Sequence, residues 1–471
     1  MSSTLIASSP SNIYVSALLG GTKWATNSLT YSFPASASSY GYSYGSGEAQ
    51  NKFAAFMDPQ QEAARTALKL YASVANLAFS EIVETTSQHA DIRFARSNSP
   101  DTAWAYYPND GETGGDVWVN TSSSDYASPR KGNYAYLTLI HEIGHALGLE
   151  HAHEGTAMPL NRDSLEYTIM SYRSYAGAST SSGYVNETWG YAQSLMMYDI
   201  AALQHLYGAN YKTNSGNTVY AWTPAGRLAI NGATTDSAGA NRIFQTLWDG
   251  GGTDTYDFRQ YTTGLKINLN PGAWTITSRT QLAKLDWSGA KLAAGNIANA
   301  LLYNNDMRSL IENALGGSGN DTITGNQGAN SLKGNGGNDK LNGGGGKDVL
   351  VGGSGKDILY GGADGDTLYG SSGADVFLFR SAGDSPRSAR DTIKDFKRGE
   401  DHIDLRPIDA NTNAAGNQAF TFIGKAAFTG KAGELRFLNG LLSADVNGDM
   451  IADMQVNVAK LTGLAKSDFY L

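Results

Sequence analysis

Three histidines and one glutamate lie close together in the segment His141–His151, which reads HEIGHALGLEH. On a helix, His141 and His145 are four residues apart, so both imidazoles leave the same face and can reach one metal ion at about 2.0–2.1 Å. Gly148 can turn the chain at the helix end because glycine accepts a positive φ, and His151 can then return toward the metal. These three nitrogens, with Glu142 beside them, are the groups that a hydrolytic zinc site needs.

Such a site would hydrolyse peptide bonds without a covalent intermediate. Three protein ligands leave a fourth position for water, whose pKa zinc lowers to about 7, while Glu142 takes its proton and passes it to the leaving amine. HExxH alone also occurs by chance in ordinary helices. The longer pattern HExxHxxGxxH fixes five positions, and Thr168–Tyr172 downstream reads TIMSY, the arrangement of a metzincin Met-turn. Together the two patterns predict one catalytic zinc ion.

Length and composition narrow the class of protein. A chain of 471 residues favours two domains. The absence of cysteine excludes disulfides, thiolate ligands and a cysteine nucleophile. A net charge of −9 argues against a nucleic-acid partner and is compatible with hard cations such as calcium. We expect no membrane span, and residues 1–34 lack the basic start and apolar core of a cleaved signal peptide.

The elements that would position the zinc site have an α+β order. Asp58 as N-cap and Pro59 at the first position predict a helix over 60–78, with one apolar face. Alternating segments predict strands at 91–96, 102–107 and 116–120. The zinc helix is expected over 134–147, and a further helix over 193–207, ended by Gly208.

From Gly316 to Leu378 the chain repeats every nine residues on the pattern G-G-x-G-x-D-x-U-x, where U is a large apolar residue, through seven copies. Six copies carry the acid, and the second has Asn330 in its place, which removes a charge from one site. A flexible glycine-rich linker would not keep this register. The repeats predict stacked turns of a parallel β-roll that binds several structural calcium ions through aspartates and glycine carbonyls, namely Asp321, Asp339, Asp348, Asp357, Asp366, Asp375, Gly317, Gly319, Gly334, Gly336, Gly343 and Gly352.

Two nonapeptides would complete one coil, so alternate copies should share an edge of the roll. Asp321, Asp339, Asp357 and Asp375 would then stack apart from Asn330, Asp348 and Asp366. One inward apolar residue per strand is a thin core, and stacked carboxylates repel without metal. Folding of this region should therefore depend on calcium.

With the zinc motif, the Met-turn and the nonapeptides in one chain, the sequence resembles the serralysins, secreted bacterial zinc endopeptidases with a calcium-binding β-roll. The resemblance extends to Leu29–Phe33, to Asp199–Gln204 before Leu206-Tyr207-Gly208, and to Asp391–Ile393. It implies a zincin-like catalytic domain followed by an all-β roll, and an endopeptidase of broad specificity.

The family assigns roles to matching positions. His141, His145 and His151 would bind zinc, Glu142 would be the general base, and Met170 would form a floor under the metal. The resemblance makes Tyr172 an additional zinc ligand that moves to stabilise the developing oxyanion, although the residue alone would suggest a core aromatic. A substrate-binding edge strand is implied at Ala103, Trp104, Ala105 and Tyr106.

The resemblance also implies a further calcium site at Asp249, Gly251, Asp254 and Glu312. The terminus Asp468–Leu471 is similar to the family's signal for a type I (ABC) exporter, which fits the lack of a signal peptide. Other implied partners are protein and peptide substrates and a small periplasmic protein inhibitor, and we expect a monomer.

The sequence therefore predicts a catalytic domain over 1–240 and a β-roll domain over 241–471, the latter including the secretion-signal region. The alternative from another class is a calcium-dependent surface or adhesion protein with a vestigial protease domain. All of the zinc-site residues are retained, which favours the enzyme. A metzincin of the matrix or astacin kind is disfavoured by the nonapeptides and the lack of cysteine.

Overall fold

A computed structural model describes residues 2–85 and 88–471 of the chain. By their contacts these residues form two compact units. The first unit contains the chain up to Ser215, with Asp236–Gly251 and Arg279–Ser309, and the second contains Gly216–Thr235, Gly252–Ser278 and Leu310–Leu471. The sequence predicts two domains that meet at a single boundary near residue 240. Whether each of these domains folds independently stays a prediction.

The sheet of the first unit is mostly parallel. The unit's first eight strands are β1 (Thr4–Ile6), β2 (Thr22–Trp24), β3 (Ser28–Ser32), β4 (Ala54–Ala55), β5 (Ala78–Glu81), β6 (Ile92–Ser97), β7 (Ala103–Ala105) and β8 (Val117–Asn120). The sheet order is β5-β3-β6-β8-β7, with β4 beside β6, while β1 pairs with β2. Strand β7 is antiparallel to β8 and lies at the edge. Two later strands, Gln245–Leu247 and Ile297–Asn299, pair in parallel.

The first unit also contains the four α-helices of the described residues. They are α1 (Ile13–Ser16), α2 (Asp58–Val74), α3 (Tyr134–Ala146) and α4 (Met197–Tyr207). None of the helices in the described part of the chain is both long and apolar enough to cross a membrane. Helix α3 packs against α2 and against strands β7 and β8.

Helix α2 differs from the sequence prediction at both ends. Met57, not Asp58, is the N-cap, and Asp58 is the first helical residue, where its charge still faces the positive end of the helix dipole. Gln60 accepts a hydrogen bond from the Met57 amide at 3.0 Å. The helix ends at Val74 because Ala75 is extended as the chain turns toward β5. The predicted apolar face is buried, at Ala64, Leu68, Tyr71 and Ala75.

Helix α3 carries the zinc motif and is capped at its start by Asn133. The Asn133 side chain accepts a hydrogen bond from the Tyr136 amide at 2.9 Å. Gly148 has φ +99°, and a Cβ there would lie 2.4 Å from the carbonyl oxygen of Thr22. The turn after α3 thus requires glycine for both conformation and space. Helix α4 begins at Met197, later than predicted, because Met196 is extended, and it ends before Gly208 at φ +82°.

The second unit is built from strands, and most of them belong to two long sheets. The first sheet runs, in spatial order, through Ala233–Thr234, Leu228–Ile230, Val219–Trp222, Thr255–Asp257, Asn313–Leu315, Ser331–Gly336, Val349–Ser354, Thr367–Ser372, Thr392–Ile393, Met454–Val458, Leu441–Asp445, Glu434–Leu438 and Thr421–Phe422. The second runs through Lys266–Asn268, Thr322–Thr324, Lys340–Gly344, Ile358–Gly362, Val376–Leu378, His402–Asp404 and Phe469–Tyr470.

The two sheets confirm that two nonapeptides make one coil. Leu332 pairs with Leu350 in one sheet and Ile323 pairs with Leu341 in the other, each partner being eighteen residues further along. The seven inward apolar side chains of the repeats are all at most 2% exposed. The predicted fold class, an α+β catalytic part followed by a parallel β-roll, is confirmed.

Candidate metal centre

The three histidines of the motif converge on one point. The Nε2 atom of His145 lies 3.1 Å from that of His141 and 2.9 Å from that of His151, and the third separation is 3.2 Å. Three atoms so spaced can all lie 2.0–2.1 Å from a point above their plane, which is the length of a zinc–imidazole bond. The helix brings His141 and His145 together, and the turn at Gly148 returns His151 to them.

Backbone carbonyls fix which nitrogen of the His141 and His145 rings is free to bind a metal. The Nδ1 atom of His141 lies 2.8 Å from the carbonyl oxygen of Ile169, and that of His145 lies 2.7 Å from that of Leu149. Each Nδ1 must carry the proton to donate to a carbonyl, so each Nε2 presents its lone pair. The Nδ1 atom of His151 faces Glu154, at 3.3 Å from a carboxylate oxygen.

Burial keeps the imidazoles of His141 and His145 neutral, as metal ligands must be. Desolvation lowers the pKa of His141 to about 3, helped by the neighbouring His151, and it holds the pKa of His145 well below its usual value. Three lone pairs at this spacing repel one another unless a cation lies between them. The donor set therefore fits a zinc ion.

Glu142 is positioned to act as a base beside this site. Its side chain is 6% exposed, it lines the same cleft as His141, and its Oε2 atom has no hydrogen-bond partner among the described residues. Burial raises the pKa of Glu142 to about 8. A divalent cation held by the histidines would favour its ionised form and lower that pKa again.

Met170 lies directly beneath the zinc helix. It is fully buried, and a Cβ at Gly144 would approach its sulfur to 2.7 Å. Gly144 is thus glycine because the helix and Met170 are in close contact. The role of Met170 as the floor of the metal site stays a prediction.

Asp199 supports the turn that contains Met170. It was not identified as a site residue from the sequence. Its carboxylate accepts hydrogen bonds from the Thr168 hydroxyl and from the amides of Ile169 and Met196, both at 2.8 Å. The amide and carbonyl of Ile169 thereby connect Asp199 to His141. In the sequence, Asp199 belongs only to the helix predicted over 193–207 and to a segment of family resemblance, because its contact with Ile169 spans thirty residues.

Tyr172 lies beside the histidines. Its ring centroid is 4.5 Å from that of His151 and 5.7 Å from that of His141. Burial and the nearby charge of Glu142 raise the pKa of Tyr172 to about 12. His153 also packs on Tyr172, with ring centroids 4.9 Å apart, but it lies outside the histidine cluster.

A cleft of about 360 Å³ opens beside His141 and Glu142. Thr102 and Ala103 of the β7 edge form one wall, and Tyr134, Tyr184 and Tyr191 line it elsewhere, none of which the sequence singled out. Tyr106, just after β7, donates a hydrogen bond to Glu48. Within residues 2–85 and 88–471, Ala103, Trp104 and Ala105 pair with β8 on one side only, so β7 is an edge strand.

In the roll, the aspartates form two ladders. The amides of Asp321, Asp339 and Asp357 each donate to the carboxylate eighteen residues further on, at 2.7, 2.8 and 3.0 Å. The amides of Asn330 and Asp348 do the same at 2.7 and 2.8 Å. Alternate copies therefore stack on each edge, as predicted.

Each ladder continues past the last repeat. Asp391 accepts from the Asp366 amide at 3.0 Å, and Asp401 accepts from the Asp375 amide at 3.0 Å. The nonapeptide pattern does not reveal either residue as a ladder member, because they lie twenty-five and twenty-six residues on, outside its spacing.

The second oxygen of many of these carboxylates has no protein partner. This holds, within the described residues, for the Oδ2 atoms of Asp339, Asp348, Asp357, Asp366 and Asp391. Burial raises the pKa of Asp348 to about 8 and that of Asp366 to about 7. Close packing explains the glycines, since a Cβ at Gly334, Gly343 or Gly352 would lie 2.1–2.3 Å from the aspartate oxygen of its own repeat. Buried oxygens of this kind suit a hard divalent cation.

The remaining residues that were expected to bind calcium form hydrogen bonds between backbone amides and carboxylates or pack closely against a neighbouring turn. The Gly317 amide donates to Asp321 at 2.7 Å. A Cβ at Gly319 or Gly336 would contact a neighbouring turn. In the first unit Asp249 accepts from Gly251 at 2.6 Å, and in the second Glu312 accepts from the Asp254 amide at 2.7 Å.

Two models of known protein families match this chain, one over the histidine motif and the other over the roll. A family model described as Matrixin matches residues 23–168, which include the histidine motif. A model described as Peptidase M10 serralysin C terminal matches residues 209–470, which include the roll.

Several known proteins are similar over most of the chain. Metalloprotease AprA of Pseudomonas entomophila (strain L48) is 37% identical over 454 residues, which cover 92% of this chain and 83% of the relative. Serralysin A of Dickeya chrysanthemi is 38% identical over 405 residues, covering 84% and 74%. Serralysin of Photorhabdus sp. (strain Az29) is 36% identical over 396 residues, covering 81% and 72%.

Proposed function

The chain belongs to the serralysin family and is a zinc metalloprotease, and from this premise we propose that His141, His145 and His151 bind the catalytic zinc and that Glu142 is the general base. The observation that carries this proposal is the convergence of three Nε2 atoms within 3.2 Å of one another beside the buried Glu142 carboxylate. The alternative of an adhesion protein with a vestigial protease domain is not favoured.

Zinc, when bound, supplies a Lewis acid that polarises the scissile carbonyl and increases the acidity of water. Glu142 takes a proton from the attacking water and delivers it to the leaving nitrogen. Its burial suits this role, because a carboxylate in an apolar setting holds a proton more readily than one in water. The carbonyls of Ile169 and Leu149 keep His141 and His145 in the tautomer that binds metal.

Tyr172 would donate a hydrogen bond to the oxyanion that develops on the substrate carbonyl. Its phenol keeps its proton at neutral pH, since its pKa is raised to about 12. The contact of its ring with that of His151 supports this role, and it also supports the proposal that Tyr172 is an additional zinc ligand. A donor positioned in advance stabilises the transition state without reorganisation.

An extended substrate would add to the open side of β7 by main-chain hydrogen bonds. Such pairing positions a peptide with little dependence on its side chains, which supports cleavage of many proteins. The substrate would thus lie along Ala103–Ala105, with one side chain in the cleft of about 360 Å³. The cleft walls supply three tyrosine rings for that side chain.

The roll would bind several structural calcium ions between its aspartate ladders. The buried carboxylate oxygens without protein partners support this assignment. Asp391 and Asp401 would extend the two ladders, and the further calcium site expected from the family resemblance at Asp249, Gly251, Asp254 and Glu312 stays a prediction from the sequence. We also propose that the protein is secreted by a type I (ABC) exporter that reads the C-terminal region, that it works extracellularly as a monomer, and that a small periplasmic inhibitor binds it.

The ligand set is tested by measuring zinc stoichiometry in two matched variants. His151→Ala should reduce bound zinc by more than half and abolish cleavage of a peptide with blocked ends, because two histidine ligands hold zinc far more weakly than three. His153→Ala is the control, being a nearby histidine outside the cluster, and should keep full zinc. Loss of zinc from the His153 variant with retention in the His151 variant would overturn the assignment.

A further inference from the structure

A second cavity lies on the first unit, lined by other residues of helix α3 than those that line the zinc cleft. It has a volume of about 400 Å³. The first turns of α2, the segment 129–131 and residues 236–237 line it, together with Tyr136 of α3. This cavity, called here the α2–α3 pocket, shares no lining residue with the zinc cleft.

Two hydrogen-bond donors in the α2–α3 pocket have no acceptor. Tyr136 is 2% exposed, and its hydroxyl has no hydrogen-bond partner among residues 2–85 and 88–471. Lys131 is half-buried and forms no ion pair within 4.0 Å in the same part of the chain. Burial lowers the pKa of Lys131, and the exposed Asp236 only partly opposes that effect. A buried phenol and a desolvated ammonium both gain free energy when an anionic oxygen reaches them.

The rest of the lining describes the body of the ligand. Pro59, Ala63 and Pro129 contribute apolar surface to a lining that also includes Glu62, Thr66 and Arg130, so the ligand should carry a short apolar group. The volume is in the range of pockets that bind small organic molecules and is too small for a folded segment.

We propose that the α2–α3 pocket binds the carboxylate of a small organic acid with a short apolar body, with Lys131 and Tyr136 as the two donors. The carboxy-terminal residue of a peptide and a short fatty acid share this chemistry. The bound acid would contact α2, the loop before α3 and the first turn of the zinc helix, and it would not contact the catalytic groups.

The test uses the intact chain loaded with zinc and calcium, with ligand binding followed by saturation-transfer NMR. N-acetyl-leucine represents a peptide end and hexanoate a fatty acid, and the uncharged N-acetyl-leucinamide is the matched control ligand. We expect at least one acid to bind with a dissociation constant below roughly 10 mM and the amide to bind at least about tenfold more weakly. The tighter of the two acids identifies the source.

Three variants assign the binding to this pocket. Lys131→Met should weaken binding about tenfold or more, and Tyr136→Phe should weaken it roughly two- to tenfold. Lys69→Met, an exposed lysine on α2, should have no effect. Unfolding midpoints and casein hydrolysis verify that each variant is folded. If the Lys131 variant does not fold, the affinity of the Tyr136→Phe variant alone decides whether the acid binds in this pocket. Three results would each overturn the proposal: no binding of either acid at 50 mM, equal binding of the amide, or unchanged affinity in the folded pocket variants. Unchanged affinity in these variants is also what carboxylates bound at the zinc site would give.

Discussion

The Nδ1 atom of His141 donates to the carbonyl oxygen of Ile169 across 2.8 Å, which couples the zinc helix to the turn that contains Met170. The Ile169 amide in turn donates to Asp199, at 2.8 Å. Orientation of the first zinc ligand therefore depends on a carboxylate that does not contact the metal. Such supporting groups tune both ligand direction and metal affinity.

Replacement of Asp199 by asparagine should weaken zinc binding by about tenfold to a hundredfold. The asparagine amide has one acceptor oxygen, whereas the carboxylate accepts from Thr168 with one oxygen and from the amides of Ile169 and Met196 with the other, so one acceptor atom is lost. Zinc affinity would be measured by competition with a chelator. Asp125→Asn, at an exposed aspartate, is the control and should leave affinity unchanged. A lower unfolding midpoint with unaltered zinc affinity would show that Asp199 serves stability alone.

Tyr172→Phe should retain zinc and reduce kcat by about a hundredfold to a thousandfold, with a much smaller effect on KM. The phenol acts on the oxyanion, which exists only near the transition state, so its loss should affect turnover rather than binding. Peptide hydrolysis under saturating and limiting substrate separates the two constants. Tyr42→Phe is the control, because it removes the hydroxyl of a tyrosine that is 93% exposed to solvent. Turnover within twofold of the parent would exclude the proposed role.

Gly144→Ala should destabilise the catalytic part by about 1–3 kcal/mol and lower its zinc content. The new methyl would meet the Met170 sulfur at 2.7 Å, where both helix and turn are buried. Gly463→Ala is a suitable comparison, because nothing lies within 4 Å of a Cβ at that position. Thermal unfolding and metal analysis would decide the point. Equal midpoints for the two variants would contradict the close contact.

Without calcium, the roll should lose stability as the pH rises from about 4 to about 8. The pKa values of Asp339, Asp348 and Asp366 are raised in the fold to about 7, 8 and 7, from an ordinary 3.8, because burial disfavours their charge. The folded state thus binds more protons than the unfolded state in this range, so its stability is full below the ordinary pKa and is lost through the folded pKa. Calcium should restore stability at high pH by compensating the charges.

Circular dichroism during urea unfolding, at pH 5 and pH 8 with chelator and with calcium, tests this dependence. Asp348→Asn should reduce the difference between the two pH values in chelator, because one titrating group is gone. A calcium-free roll that is more stable at pH 8 than at pH 5 would refute the ladder as a stack of desolvated carboxylates.

Local spacing predicted the parts of the molecule that depend on local geometry. Four-residue spacing on a helix placed His141 and His145 together, and the nine-residue repeat gave the register of the roll. Asp199, Ile169 and Asp391 could not be found in this way. Their roles depend on contacts between distant segments, and Asp391 follows an insertion that interrupts the repeat.

The zinc dependence of casein hydrolysis by the purified chain and by its Glu142→Gln variant tests the central claim most directly. Activity of the parent should disappear when zinc is removed and return when zinc is restored. The variant should bind zinc and remain folded, with most turnover lost, because it lacks only the base. Hydrolysis near the parent rate by the zinc-loaded variant, or no hydrolysis by the parent with zinc and calcium bound, would contradict the account.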